Sequence, residues 1–124
     1  MQRNLVRILS LAALVAFILP SAALAEAAAG KAPYDTNCVS CHGPTGKGDG
    51  PVGAVLNPPP RDFSKGDFKF DTNGDGNPGT DEDLTNVIKK GASAYGGSAL
   101  MAPWPALSDG DIKNIVAYIR SLKQ

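Results

Sequence analysis

Cys38-Val39-Ser40-Cys41-His42 places two thiols three positions apart with an imidazole directly after the second. Thiols so spaced reach neighbouring edges of one flat macrocycle, and the adjacent histidine swings under its centre to an iron. The chemistry this implies is covalent attachment of one haem c through Cys38 and Cys41, with His42 as an axial iron ligand. Competing uses of the pentapeptide fit poorly. A structural zinc site needs two further Cys or His ligands, and the sequence has no cysteine or histidine outside these five residues. A thioredoxin-like dithiol needs a βαβ setting, and no strand pattern surrounds this one.

The N-terminus agrees with that chemistry. Arg3 and Arg7 precede an apolar run over 8–19, and Ala23-Leu24-Ala25 follows as a small-residue cleavage site. The pattern predicts a secretory signal peptide over 1–25 and a mature domain over 26–124. A run of about 12 apolar residues falls short of the roughly 20 that a transmembrane helix needs, so no membrane attachment is expected after cleavage. No cysteine stands at the cleavage point to take a lipid. Export suits haem attachment, which belongs beyond the bacterial inner membrane, so the expected location is the periplasm. Removing Arg3 and Arg7 from 12 basic and 12 acidic residues leaves a mature charge of −2 before haem is counted. That balance argues against nucleic acid as a partner.

The elements that must position these residues read as helices joined by Gly- and Pro-rich connections, without sustained strand alternation. Ile112, Ile115, Val116, Ile119 and Leu122 recur at helical spacing near the C-terminus, with Ser108 placed to cap and Asp111 in the first turn. A second helix is predicted over 82–90 on the stripe Leu84, Val87 and Ile88, capped by Thr80 or Asp81 and stopped by Gly91. The fold class is all-α with long loops. A domain of this size buries only about 60–70% of its unfolded surface, and haem would supply apolar mass.

With these features in place the mature chain resembles the class I monohaem cytochromes c, in particular the small exported bacterial ones. Gly30, Tyr34 and Cys38 match the Gly-xxx-aromatic-xxx-Cys pattern of the family's first helix, and Ile115 with Tyr118 match the pair on its last helix. The resemblance implies a cytochrome c fold in which these two helices cross at the glycine, where a missing side chain lets the second backbone approach. Pro33 departs from the pattern: it would sit in the first turn of a helix beginning near Gly30, so that helix is expected to be short or late. Met101, in Ala99-Leu100-Met101-Ala102-Pro103-Trp104, resembles the family's methionine-ligand loop. It is the one methionine left after the signal and follows a Gly/Ser-rich stretch rather than a helix stripe. The alternative is a methionine filling a core gap. By the same resemblance Pro51 would offer its carbonyl to the imidazole of His42, although one of the prolines Pro58, Pro59 and Pro60 could serve instead. Arg61 is a candidate for a haem propionate, against the alternative of an ordinary surface arginine. Phe63, Phe68, Phe70 and Trp104 are expected to line the pocket, and Trp104 could donate its indole proton to a propionate.

A second motif stands apart. Asp71-Thr72-Asn73-Gly74-Asp75-Gly76, followed by Glu82, satisfies the EF-hand loop pattern, with Asp71, Asn73, Asp75 and Glu82 as side-chain ligands and the backbone of Asn77 adding another. Pro78 and Gly79 depart from the usual eighth and ninth positions, and 68–70 do not read as an entering helix. Two readings stand side by side: a polar surface turn carrying Asp, Asn and Gly for their turn chemistry, and a Ca2+ site whose role would be structural rather than sensing.

The functional expectation is a soluble periplasmic electron-transfer protein, monomeric and not an enzyme, shuttling single electrons between redox proteins that dock transiently at its haem edge. Alternatives are a cytochrome subunit of a larger dehydrogenase or oxidase, and a haem enzyme or gas sensor whose sixth iron position is open and in which Met101 only packs.

Overall fold

The computed structural model describes residues 21–124, so the signal peptide expected over 1–25 lies almost wholly outside the described residues. Four α-helices follow in order: α1 Ala22–Asn37, α2 Val39–His42, α3 Asp81–Lys90 and α4 Asp109–Ser121. Short 3-10 turns at Gly53–Val55, Phe63–Lys65 and Ala92–Tyr95 punctuate the loops, and there is no strand among the described residues. The all-α class is as the sequence predicts.

α1 begins earlier than expected. Its start near Gly30 is overturned by an alanine-rich stretch of high helix propensity, capped by Ser21, that carries the helix back to Ala22. Pro33 therefore lies inside α1 rather than in its first turn. Proline cannot donate to the carbonyl one turn back. The turns beyond it are reinforced by side chains: Asn37 donates to the Pro33 carbonyl at 2.8 Å and Thr36 to the Ala32 carbonyl at 3.0 Å.

α1 and α4 cross at Gly30, where a Cβ would fall 1.9 Å from the Asn114 carbonyl oxygen. Only glycine permits that approach. Beside the crossing the rings of Tyr34 and Tyr118 lie 4.9 Å apart, and the buried Tyr34 hydroxyl donates to the Gly43 carbonyl at 2.7 Å. Ile112, Ile115, Val116 and Ile119 form the buried face of α4, and Leu84 and Ile88 of α3 join them with Phe63 to make the core. α3 starts on a capping box between Thr80 and Asp83 and ends at Gly91; α4 starts on Ser108, which accepts from the Asp111 amide. Thr80, not Asp81, is the cap.

Candidate functional site

α2 presents the Cys-x-x-Cys-His residues. Cys38 ends α1 and begins α2, its amide donating to Tyr34 at 2.8 Å while its carbonyl accepts from His42 at 2.9 Å. The carbonyls at the end of so short a helix need partners. The loop that follows supplies them: Gly48, Gly50 and Val52 donate to His42, Cys41 and Ser40 at 2.8, 3.2 and 2.9 Å. This wrapping demands a glycine at 53, where a Cβ would lie 1.9 Å from the Cys41 carbonyl oxygen.

His42 is fixed on two sides. Its Nδ1 lies 3.2 Å from the Arg61 carbonyl oxygen, and its ring stacks on Phe63 with centroids 4.3 Å apart and planes 17° from parallel. Burial pushes the imidazole below its ordinary value, partly offset by that carbonyl. A neutral ring donating from Nδ1 leaves Nε2 for a metal. The role expected of Pro51 belongs to Arg61, whose main chain the triproline segment delivers. The Arg61 guanidinium instead lies 3.6 Å from Asp67, which also pairs with Lys69 at 2.9 Å.

Met101 is held by a loop folded back on the end of α3. Ala92 donates to the Met101 carbonyl at 3.0 Å, Met101 to Ser98 at 3.2 Å, and Trp104 to Ile88 at 2.9 Å. The result is one cavity of about 720 Å3, part of it open to solvent. Cys38, Cys41 and His42 line it together with Leu56, the prolines 58–60, Ile88, Leu100, Met101 and Trp104, and no Asp, Glu, Lys or Arg is among its lining residues. Phe63, Phe68 and Phe70 line a separate, smaller crevice with Arg61 and Lys69; of the four aromatic residues expected in the pocket, only Trp104 lines it. Burial, with Cys41 alongside, pushes the Cys38 thiol up to about 11.

The acidic loop folds as a turn on α3. Both oxygens of Asp71 accept loop amides, from Gly74 at 2.8 Å, Asp75 at 3.1 Å and Gly76 at 2.9 Å. Asn73 Nδ2 stands 3.3 Å from Asp75 Oδ2 and 3.3 Å from Glu82 Oε2, and the Asn77 amide donates to Asp75 at 2.8 Å. Among the described residues no group of three or more His, Cys, Asp or Glu is gathered as a ready metal site. The residue that ties the loop down is Asp83, 1% exposed, which accepts from the amide and hydroxyl of Thr72 at 2.6 and 2.7 Å and from those of Thr80 at 2.8 Å each. These bonds, that from the Thr72 amide foremost, hold its carboxyl well below the usual range. Sequence reasoning missed Asp83, although Thr80-x-x-Asp83 is a capping-box signature.

Two cysteines, a buried oriented histidine and a methionine around one uncharged apolar cavity in an all-helical chain define a protein built to hold a covalent haem. The relatives agree. A model of the cytochrome c family matches residues 27–123. Cytochrome c-554(547) of Halothiobacillus neapolitanus is 39% identical over 101 residues, 79% of this chain and 98% of that protein. A chain of the Kuenenia stuttgartiensis reducing HAO-like protein complex Kustc0457/Kustc0458 superposes with a TM-score of 0.65 at 34% identity, over 77% of this chain. This chain spans only 41% of the length of that one. The chain belongs to the cytochrome c family, whose members carry covalent haem c and transfer electrons.

Proposed function

We propose that the chain is exported on residues 1–25, folds over 26–124 around one haem c, and carries single electrons between redox proteins of the periplasm as a soluble monomer, with His42 and Met101 as axial ligands. The observation that carries this reading is that His42 and Met101 line the same uncharged cavity as both cysteines. When bound, haem supplies a one-electron iron couple. The chain's own residues do the rest. Cys38 and Cys41 anchor the macrocycle, while Phe63 and the Arg61 carbonyl fix the His42 ring. Met101 offers a soft thioether, which favours ferrous iron and raises the potential. The prolines 58–60 and Trp104 wall the cavity with apolar surface. Trp104 remains the candidate donor to a propionate. No helix among the described residues is long and apolar enough to cross a membrane.

The test is the purified exported protein. Its mass should equal 26–124 plus one haem, and its ferrous form should leave carbon monoxide unbound. Met101→Ala should bind carbon monoxide readily. If the native protein binds it equally well, the sixth position is open and the sensor or enzyme reading takes over.

A second reading is favoured by the length relation above: a similar domain lies within a much longer chain of a multi-chain complex. Purification from the native source separates the two, since a subunit would elute with partners and a shuttle alone.

We also propose a weak structural Ca2+ site in the loop 71–82. A half-turn of the Asn73 amide would bring its oxygen to where the nitrogen now faces Asp75 and Glu82, at the loss of the bond that oxygen accepts from the Asp75 amide at 3.2 Å, so the cation must replace that bond.

A further inference from the structure

Two uncharged segments of this chain wall the cavity. The ten residues 51–60 and the eighteen residues 91–108 contain no Asp, Glu, Lys, Arg or His. Those two segments wall the cavity, one through Leu56 and the prolines 58–60, the other through Ser98, Leu100, Met101, Ala102, Trp104 and Leu107. Four of the five exposed large apolar residues among those described fall in them: Val55 at 82% exposure, Val52, Leu100 at 53% and Trp104 at 36%. Near the segment ends Arg61 pairs with Asp67, and Lys89 with Asp109 at 2.5 Å, while Lys90 and Asp49 stand outside the ion pairs of the described residues. Exposed apolar side chains scattered singly are ordinary, but four of them within the two uncharged segments that wall one cavity mark an interaction surface.

Resting on the electron-carrier reading, we propose that this face docks a redox protein whose own docking face is apolar and uncharged. The occupant's chemistry follows from what the face lacks. A charge on the partner, pressed against 51–60 or 91–108, would lose its hydration and meet no counter-charge, a cost that selects against charged partners. Association then proceeds without electrostatic steering, which elsewhere accelerates encounter by 10–10³ and fades with salt. Such contacts are small and short-lived.

A second copy of the chain presents the required face and is the probe. Electron self-exchange between ferrous and ferric protein, followed by nuclear magnetic resonance, should change by less than about threefold as ionic strength rises from about 0.01 to 0.5 M, a range over which steered encounters fall steeply. Val55 lies outside the cavity lining, so its variants keep the site intact. Val55→Lys with itself, and Val55→Asp with itself, should exchange about tenfold more slowly at low salt and recover at high salt; the mixed Lys/Asp pair should not be slowed. Native exchange that varies more than tenfold with salt, or charge variants that match native protein at every ionic strength, would overturn the docking face. A stable dimer in sedimentation velocity would overturn it too, since a second copy would then cover the face. Reduction by ascorbate is the control. Protein that fails to cycle with it loses the carrier reading itself, whereas normal cycling with salt-dependent self-exchange sinks only the face.

Discussion

The imidazole of His42 is oriented by the backbone of Arg61, 19 residues along the chain, and not by that residue's charge: Nδ1 meets the carbonyl oxygen at 3.2 Å while the guanidinium pairs with Asp67. A main-chain acceptor survives side-chain replacement. Arg61→Ala is therefore expected to leave the midpoint potential unchanged and to cost less than about 1 kcal/mol in urea unfolding, the scale of an exposed ion pair. A large shift in potential would instead put the guanidinium on a propionate.

The crossing of α1 and α4 has no room to give. A Cβ at Gly30 meets the Asn114 backbone itself, so the helices must part, and Gly30→Ala should cost about 3 kcal/mol or more, a fall in Tm of roughly 12 °C or greater for a domain of this size. Gly110, in the first turn of α4, is the contrast, since a Cβ there would meet only Ser108 Oγ at 3.9 Å, an ordinary contact. Gly110→Ala should stabilise by roughly 0.5–1 kcal/mol.

Gly30, Tyr34 and the α4 stripe were legible because each carries its constraint in the side chain, or in the lack of one. That Cys38, Cys41, His42 and Met101 would come together was legible for the same reason, and they line one cavity. The acceptor for His42 was not. A carbonyl belongs to every residue, and which one arrives is decided by how loops 43–62 wrap α2, a tertiary matter that local sequence does not encode. The start of α1 was misjudged because Pro33 weighed as a local stop while the alanine run and the packing on α4 overrode it. Phe63, Phe68 and Phe70 were assigned to the wrong cavity because aromatic type identifies burial but not which cavity receives it.

Asp83 makes stability depend on acid. Its folded-state value lies below the ordinary carboxylate value of about 3.9, so the stabilisation is complete above about pH 5 and is lost as pH falls through the folded value. Asp83→Asn offers one acceptor oxygen where the threonines need two, and its amide would face donors. The variant should melt well below native protein at neutral pH, with the gap closing toward pH 2. A gap constant across that range would deny the carboxylate its role.

Calcium supplies the last test, because the loop 71–82 is already folded by hydrogen bonds and a cation must add to them. Asp71 braces the turn through three amides, and Asn73 Oδ1 and Asp75 Oδ1 each accept one more, which leaves Asp75 Oδ2, Glu82 and a turned Asn73 to meet the ion. So few charges on one unpaired loop point to the weak affinities of extracellular modules, a Kd of about 10⁻⁴–10⁻³ M. At 100 times Kd a cation that binds only folded protein adds about 2.7 kcal/mol. Tm should therefore rise by roughly 10 °C with saturating calcium, fall back on chelation, and show no rise in Asp75→Asn, while the optical spectrum of the haem stays fixed. A Tm indifferent to calcium would leave the loop as a hydrogen-bonded turn docked on Asp83 through Thr72.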